Sequence, residues 1–217
     1  MSLVVKTVWY KYVPQMAPMK RSVEHFLEKV AEKYKEFVEK KIELHVSPFY
    51  ISSKGDLVYQ PVFDFEHGYD EPRRFAQILM QLHKHKEWIA EPSGKSVHLV
   101  CHVAYGPIRS KQHVAELRAI VRNNLKPHFA NLDYATSVRI LPVRRCPSVS
   151  STKKFVMRPL ALEEFLGVNM RKLLEDWEKT PPTEKEFRWI LRYHTLPTKL
   201  DDIDRFVKLI EQIAKLA

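Results

Sequence analysis

Residues 58–103 read VYQPVFDFEHGYDEPRRFAQILMQLHKHKEWIAEPSGKSVHLVCHV, and the pattern is strand, helix, turn, strand. Side chains alternate faces along a strand, so Asp64 and Glu66 project together while Phe63 and Phe65 pack on the other side. Two like charges that close repel each other and are poorly solvated unless a cation lies between them. A hard divalent metal, which prefers oxygen ligands, is the simplest such cation. This strand is therefore read as half of a metal site. The turn Ser93-Gly94-Lys95-Ser96-Val97-His98 follows. Gly94 lets backbone amides approach an anion, and Lys95, Ser96 and His98 all donate to phosphate oxygens. The spacing of a P-loop is absent. Each feature alone has a plainer explanation, a solvent-facing acid pair or a core histidine.

Upstream, residues 3–13 are β-branched and aromatic and read as a strand closed by Pro14 and Pro18. Ser22 stands where a helix N-cap belongs, and Val23, Phe26, Leu27, Val30, Ala31, Tyr34, Phe37 and Val38 keep helical spacing. Strands follow at 42–52 and 57–66. Asp70 heads a helix expected to run to about Trp88. Downstream come a strand over 97–105, a helix from Ser110 to about Leu125, and short strands with turns over 132–160. Residues 161–177, 184–194 and 201–216 carry helical patterns of a different kind. The expected fold class is α/β (α+β): a mixed-sheet core over 1–160, then a small helical C-terminal unit over 161–217.

The chain has 217 residues, enough for one large domain. No apolar run reaches the length of a membrane span and the amino terminus lacks a signal-peptide pattern, so no membrane partner and an intracellular, cytoplasmic location are expected. Two cysteines, Cys101 and Cys146, cannot build a disulfide framework or a cysteine-rich zinc site, and no structural zinc is expected. The charge is more telling. Net charge is +10, and residues 106–160 hold 11 basic residues against Glu116 and Asp133, which is +9 of it. Arg109, Lys111, Arg139 and Arg144 are the candidate nucleic-acid contacts within that stretch.

In combination these residues resemble the archaeo-eukaryotic primase superfamily, including its primase-polymerase members. The likeness spans roughly residues 42–158. It rests on Asp64-Phe65-Glu66 at a strand end, Ser96-Val97-His98 entering the next strand, Asp133 farther on, and Arg145-Cys146-Pro147-Ser148 in a basic segment. The resemblance implies a mixed α/β catalytic core with an RRM-like module and template-directed nucleotidyl transfer. It implies that Asp64, Glu66 and Asp133 are catalytic and hold two Mg²⁺ or Mn²⁺ ions. By the same likeness Lys95, Ser96, His98, Arg145 and Lys153 or Lys154 would contact the incoming nucleotide. Single-stranded DNA template and nucleoside triphosphates are the implied partners, with a second primase subunit or a helicase as a further candidate. The chain departs from the family after Arg145. The family's usual P-G-S-L-H-x-K-T-G continuation is replaced by Pro147-Ser148-Val149-Ser150-Ser151-Thr152-Lys153-Lys154, without the histidine and with the lysines shifted.

Two other functions compete. A metal-dependent nuclease or nicking replication initiator needs the carboxylates but not the Ser96–His98 turn. A non-catalytic nucleic-acid-binding module accounts for the basic stretch and leaves three carboxylates as unexplained repulsion for DNA.

Overall fold

The computed structural model describes residues 4–13, 17–95, 97–134, 138 and 143–217. Ser96 and Arg139, both candidate ligand contacts, lie outside them. The fold is mixed α/β, with two sheets. The larger contains β1 (Val5–Val13), β2 (Met19–Ser22), β3 (Glu43–Ser52), β4 (Leu57–Tyr59), β8 (Val103–Gly106), β9 (Val143–Arg144) and β11 (Lys199–Asp202). Its order is β11-β8-β4-β3-β1-β2, with β9 paired to β3, and β11 runs parallel to β8 among antiparallel neighbours. The smaller sheet is antiparallel, in the order β10 (Leu160–Ala161), β6 (Trp88–Pro92), β7 (Val97–Cys101), β5 (Val62–Phe65).

The expected strand over 57–66 is really two strands in two sheets. Pro61 has no N–H to give a ladder, and the chain leaves the large sheet at Gln60 to enter the small one at Val62. The strand expected over 97–105 divides at His102 in the same way. The two crossings lie side by side: Cys101 N donates to Pro61 O at 2.9 Å, and Gln60 Nε2 donates to Cys101 O at 2.8 Å. At Gly106 an added β-carbon would lie 2.7 Å from Val58 Cγ1, so a side chain in β8 would push β4 away.

Helices cover these sheets. Ser22 and Ser110 cap α1 (Val23–Glu32) and α4 (Lys111–Leu125) as the sequence predicts, accepting from His25 N and His113 N. The first helix stops at Lys33 and restarts as α2 (Tyr34–Glu39). The second, α3 (Asp70–Gln81), ends earlier than expected, and Trp88–Pro92 forms a central strand instead of a helix end and turn. Among the described residues the remaining helices are α5 (Leu162–Gly167), α6 (Met170–Lys179), α7 (Glu184–Tyr193) and α8 (Ile203–Leu216). Among the described residues none is long and apolar enough to cross a membrane.

One core joins Phe63, Phe65 and Trp88 of the small sheet to Phe75 of α3, Leu117 of α4 and Phe206 of α8. A second, on the other face of the large sheet, joins Tyr10, Phe26, Phe37 and Val46 to Phe187 of α7. Residues 161–217 therefore do not form the separate helical unit that their pattern suggests. They contribute Ala161 of β10 to one sheet and the whole of β11 to the other, and their apolar stripes fill both cores.

The junction between His102 and the end of α7 is sensitive to acid. The His102 and His194 rings lie 5.4 Å apart, and both Nδ1 atoms and His194 Nε2 are buried without a partner among the described residues. Burial first, then each other's proximity and Arg145, push His102 down to about 3; burial and Arg145 push His194 down to about 4. Below pH about 6.5 the unfolded chain takes up protons that the folded chain refuses, so stability falls as pH drops. Urea unfolding is expected to show about 1–3 kcal/mol less stability at pH 5 than at pH 7. The His102→Gln/His194→Gln variant should lose most of that difference. Equal stability at both pH values in the natural protein would contradict this account.

Candidate active site

The carboxylate strand is flanked on its open edge by residues 131–133. Phe65 and Leu132 form an antiparallel bridge, Asp133 N donates to Asp64 O at 2.8 Å, and Glu66 N donates to Asn131 O at 2.9 Å. This register puts Asp133 directly opposite Asp64 and diagonal to Glu66. Phe65 and Leu132 point into the core, so the three carboxylates share the other face. Directly opposed β-carbons lie about 4.5–5.5 Å apart.

On the other side of β5, Asp64 is in register with His98, and His98 with Glu91. A row of ionisable groups therefore crosses four adjacent segments, in the order Asp133, Asp64, His98, Glu91. His98 Nε2 lies 3.4 Å from Asp64 Oδ1, with the imidazole almost buried and the carboxylate 29% exposed. Burial would push the Asp64 carboxyl up, but the charge and hydrogen bond of His98, with Arg144 behind, hold it below the usual carboxylate range. Burial likewise pushes His98 down, and Asp64 and then Glu91 more than reverse that, so the imidazolium is favoured. His98 Nδ1 is buried with no partner among the described residues.

A patch of Val62, Ile89, Val100 and Val143 floors this face and brings β9 against the small sheet. Arg144 follows Val143, and its Nη2 donates to Glu43 Oε2 at 2.8 Å while His45 Nε2 lies 3.1 Å from the same oxygen. Burial and then the Arg144 and His45 hydrogen bonds leave the Glu43 carboxyl on balance lowered. Arg144 Nε has no partner among the described residues. Glu43 and His45 carry no sequence motif, and only the β3–β9 pairing reveals them.

The glycine turn is held by the basic segment. Ser151 N and Oγ both donate to Ser93 O, at 2.8 and 2.6 Å, and a β-carbon at Gly94 would lie 3.1 Å from Thr152 Oγ1. Gly94 also has φ +105°, so a side chain there would meet both strain and contact. Lys95 and Lys153 are exposed.

Other expectations need correction. Arg145 is fully buried and cannot reach a solvent-borne triphosphate. Its Nε lies 3.1 Å from Glu91 Oε2, its Nη1 donates to Gln60 Oε1 at 3.1 Å, and its Nη2 donates to His194 O at 3.0 Å. Lys154 turns toward α6, with Nζ 3.4 Å from Glu178 Oε1. Arg109 and Lys111 are exposed at the head of α4, whose buried face packs in the core opposite the carboxylates. The basic stretch is therefore not one surface: it divides between α4, the interior and the loop at 150–154.

Asp64, Glu66 and Asp133 are hard oxygen donors on one face, which suits Mg²⁺ or Mn²⁺. Among the described residues, no three His, Cys, Asp or Glu side chains already stand together as a metal cage. The fit lies in the donor chemistry and the backbone register. Cys101 and Cys146 are buried and free, and burial pushes both thiols up. No protein-family model matches this chain, and no curated protein is detectably similar to it.

Proposed function

We propose that this protein is a template-directed nucleotidyltransferase of the primase or primase-polymerase kind, extending or starting chains on single-stranded DNA. The observation that supports it most is the register that sets Asp133 opposite Asp64, with His98 on the next strand. These are the acidic and histidine residues whose order resembles that superfamily.

In this reading Asp64, Glu66 and Asp133 hold two Mg²⁺ or Mn²⁺ ions. Such ions, when bound, lower the pKa of a 3′-hydroxyl and neutralise the charge of departing pyrophosphate. His98 keeps Asp64 ionised and aimed. Arg144, anchored on Glu43, adds a fixed positive charge beside the row. The Gly94 turn, braced by Ser151 and Thr152, presents Lys95 to the same ligand.

The test uses a primed single-stranded template with labelled deoxynucleotides or ribonucleotides and Mn²⁺. New, longer product supports the reading. Shortened template would replace it with nuclease activity, and unchanged strands with binding alone.

A further inference from the structure

A cavity of about 820 Å³ opens between β1, the exit of α2 and the loop at Lys153. Lys29, Lys33, Lys40, Lys41 and Lys153 line it, together with Tyr12 and the acids Glu32, Glu36 and Glu43. Lys29 and Lys33 each hold a glutamate one turn along, at 2.9 Å. Lys40, Lys41 and Lys153 form no ion pair among the described residues.

Two of these three are in an uncommon backbone state. Lys41 has φ +55° and Lys153 φ +57°, and His83 is the only other described non-glycine residue with positive φ. A left-handed conformation costs a residue with a β-carbon about 1–2 kcal/mol, which glycine or asparagine largely avoids. Lysine at both positions, facing one cavity, points to a use for the two side chains. Tyr12 Oη is buried in the same wall with no partner among the described residues.

One side chain, Glu43, links the cavity to the candidate active site. It lines the cavity and holds Arg144, whose charge acts on both Asp64 and His98. The lysines come from three separate chain segments around the cavity. That spread suits successive phosphates along a strand better than a single triphosphate.

We infer that this groove holds the phosphodiester backbone of a single nucleic-acid strand and leads it past Arg144 to the carboxylate row. The inference rests on the nucleotidyltransferase reading for its direction, but its test does not need catalysis. Anisotropy of a labelled oligothymidylate of about 20 nucleotides is followed across a salt series, without divalent cation or nucleotide. The variant is Lys40→Gln/Lys41→Asn/Lys153→Asn. Asparagine tolerates positive φ, so the melting temperature should be kept or raised, which separates lost binding from lost folding. Affinity should fall about tenfold or more, and the log–log salt slope should flatten by about 2. A control that removes Lys172, Lys208 and Lys215, exposed on α6 and α8, should bind like the natural protein.

Unchanged affinity and slope in the folded groove variant would overturn the inference. So would a natural protein that does not bind the strand. A protein that binds through the groove and never extends a primer would sink the nucleotidyltransferase reading alone.

Discussion

Replacing Asp64 by asparagine is expected to lower primer extension about 10³-fold while leaving single-strand affinity within about threefold. The substitution keeps the shape and removes one charge from the proposed metal-binding row. Several kcal/mol of transition-state stabilisation depend on that charge, and each 1.4 kcal/mol is about tenfold in rate. The groove lysines and Arg144 remain, so strand binding persists. His98 should respond as well. Its protonated form is favoured chiefly by Asp64, so its titration, followed by NMR, should move down in the variant. Extension within tenfold of the natural rate would remove Asp64 from the chemistry.

The second large effect concerns stability. Arg145→Met is expected to cost about 3–5 kcal/mol in urea unfolding, because it leaves Glu91 charged and buried with only Cys146 N donating to it among the described contacts. Both side chains of this pair are 0% exposed, so solvent cannot compensate. The double variant Glu91→Leu/Arg145→Met should recover most of the loss, since a buried ion pair replaced by apolar groups of similar volume is often neutral. A single variant as stable as the natural protein would contradict the buried-pair account. The pair also bears on the site: it fixes β6 beside His98 and ties the chain at 145–146 to the end of α7.

The residues show why some of this was legible in sequence. Strict alternation around Asp64 and Glu66, with phenylalanines between them, reveals both the strand and its acidic face. Serine caps at Ser22 and Ser110 mark helix starts through a local hydrogen bond, and local signals survive in sequence. Trp88–Pro92 is different. It continues a helical spacing, contains a glutamate and ends in proline, so nothing nearby says strand. It is a strand because Arg145, from 54 positions away, neutralises Glu91 between two sheet neighbours.

The same long-range pairing misled the reading of Arg145, which looks in sequence like a ligand-binding cation beside a Pro-Ser turn. β11, with the sequence Lys-Leu-Asp-Asp, has almost no apolar content and exists only because β8 offers it an edge. That edge turns an apparently separate C-terminal unit into part of the main fold. Asp133 was legible as a third acid but not as the residue opposite Asp64, because one bridge between Phe65 and Leu132 decides that.

The convergence of the acids is the claim on which the function rests, and Mn²⁺ titration followed by electron paramagnetic resonance tests it directly. The natural protein should bind Mn²⁺, and Asp133→Asn should weaken binding about as much as Asp64→Asn, by tenfold or more for each hard ligand lost, or about 1.4 kcal/mol. Asp133→Asn that binds Mn²⁺ like the natural protein, while Asp64→Asn does not, would contradict a shared three-carboxylate centre.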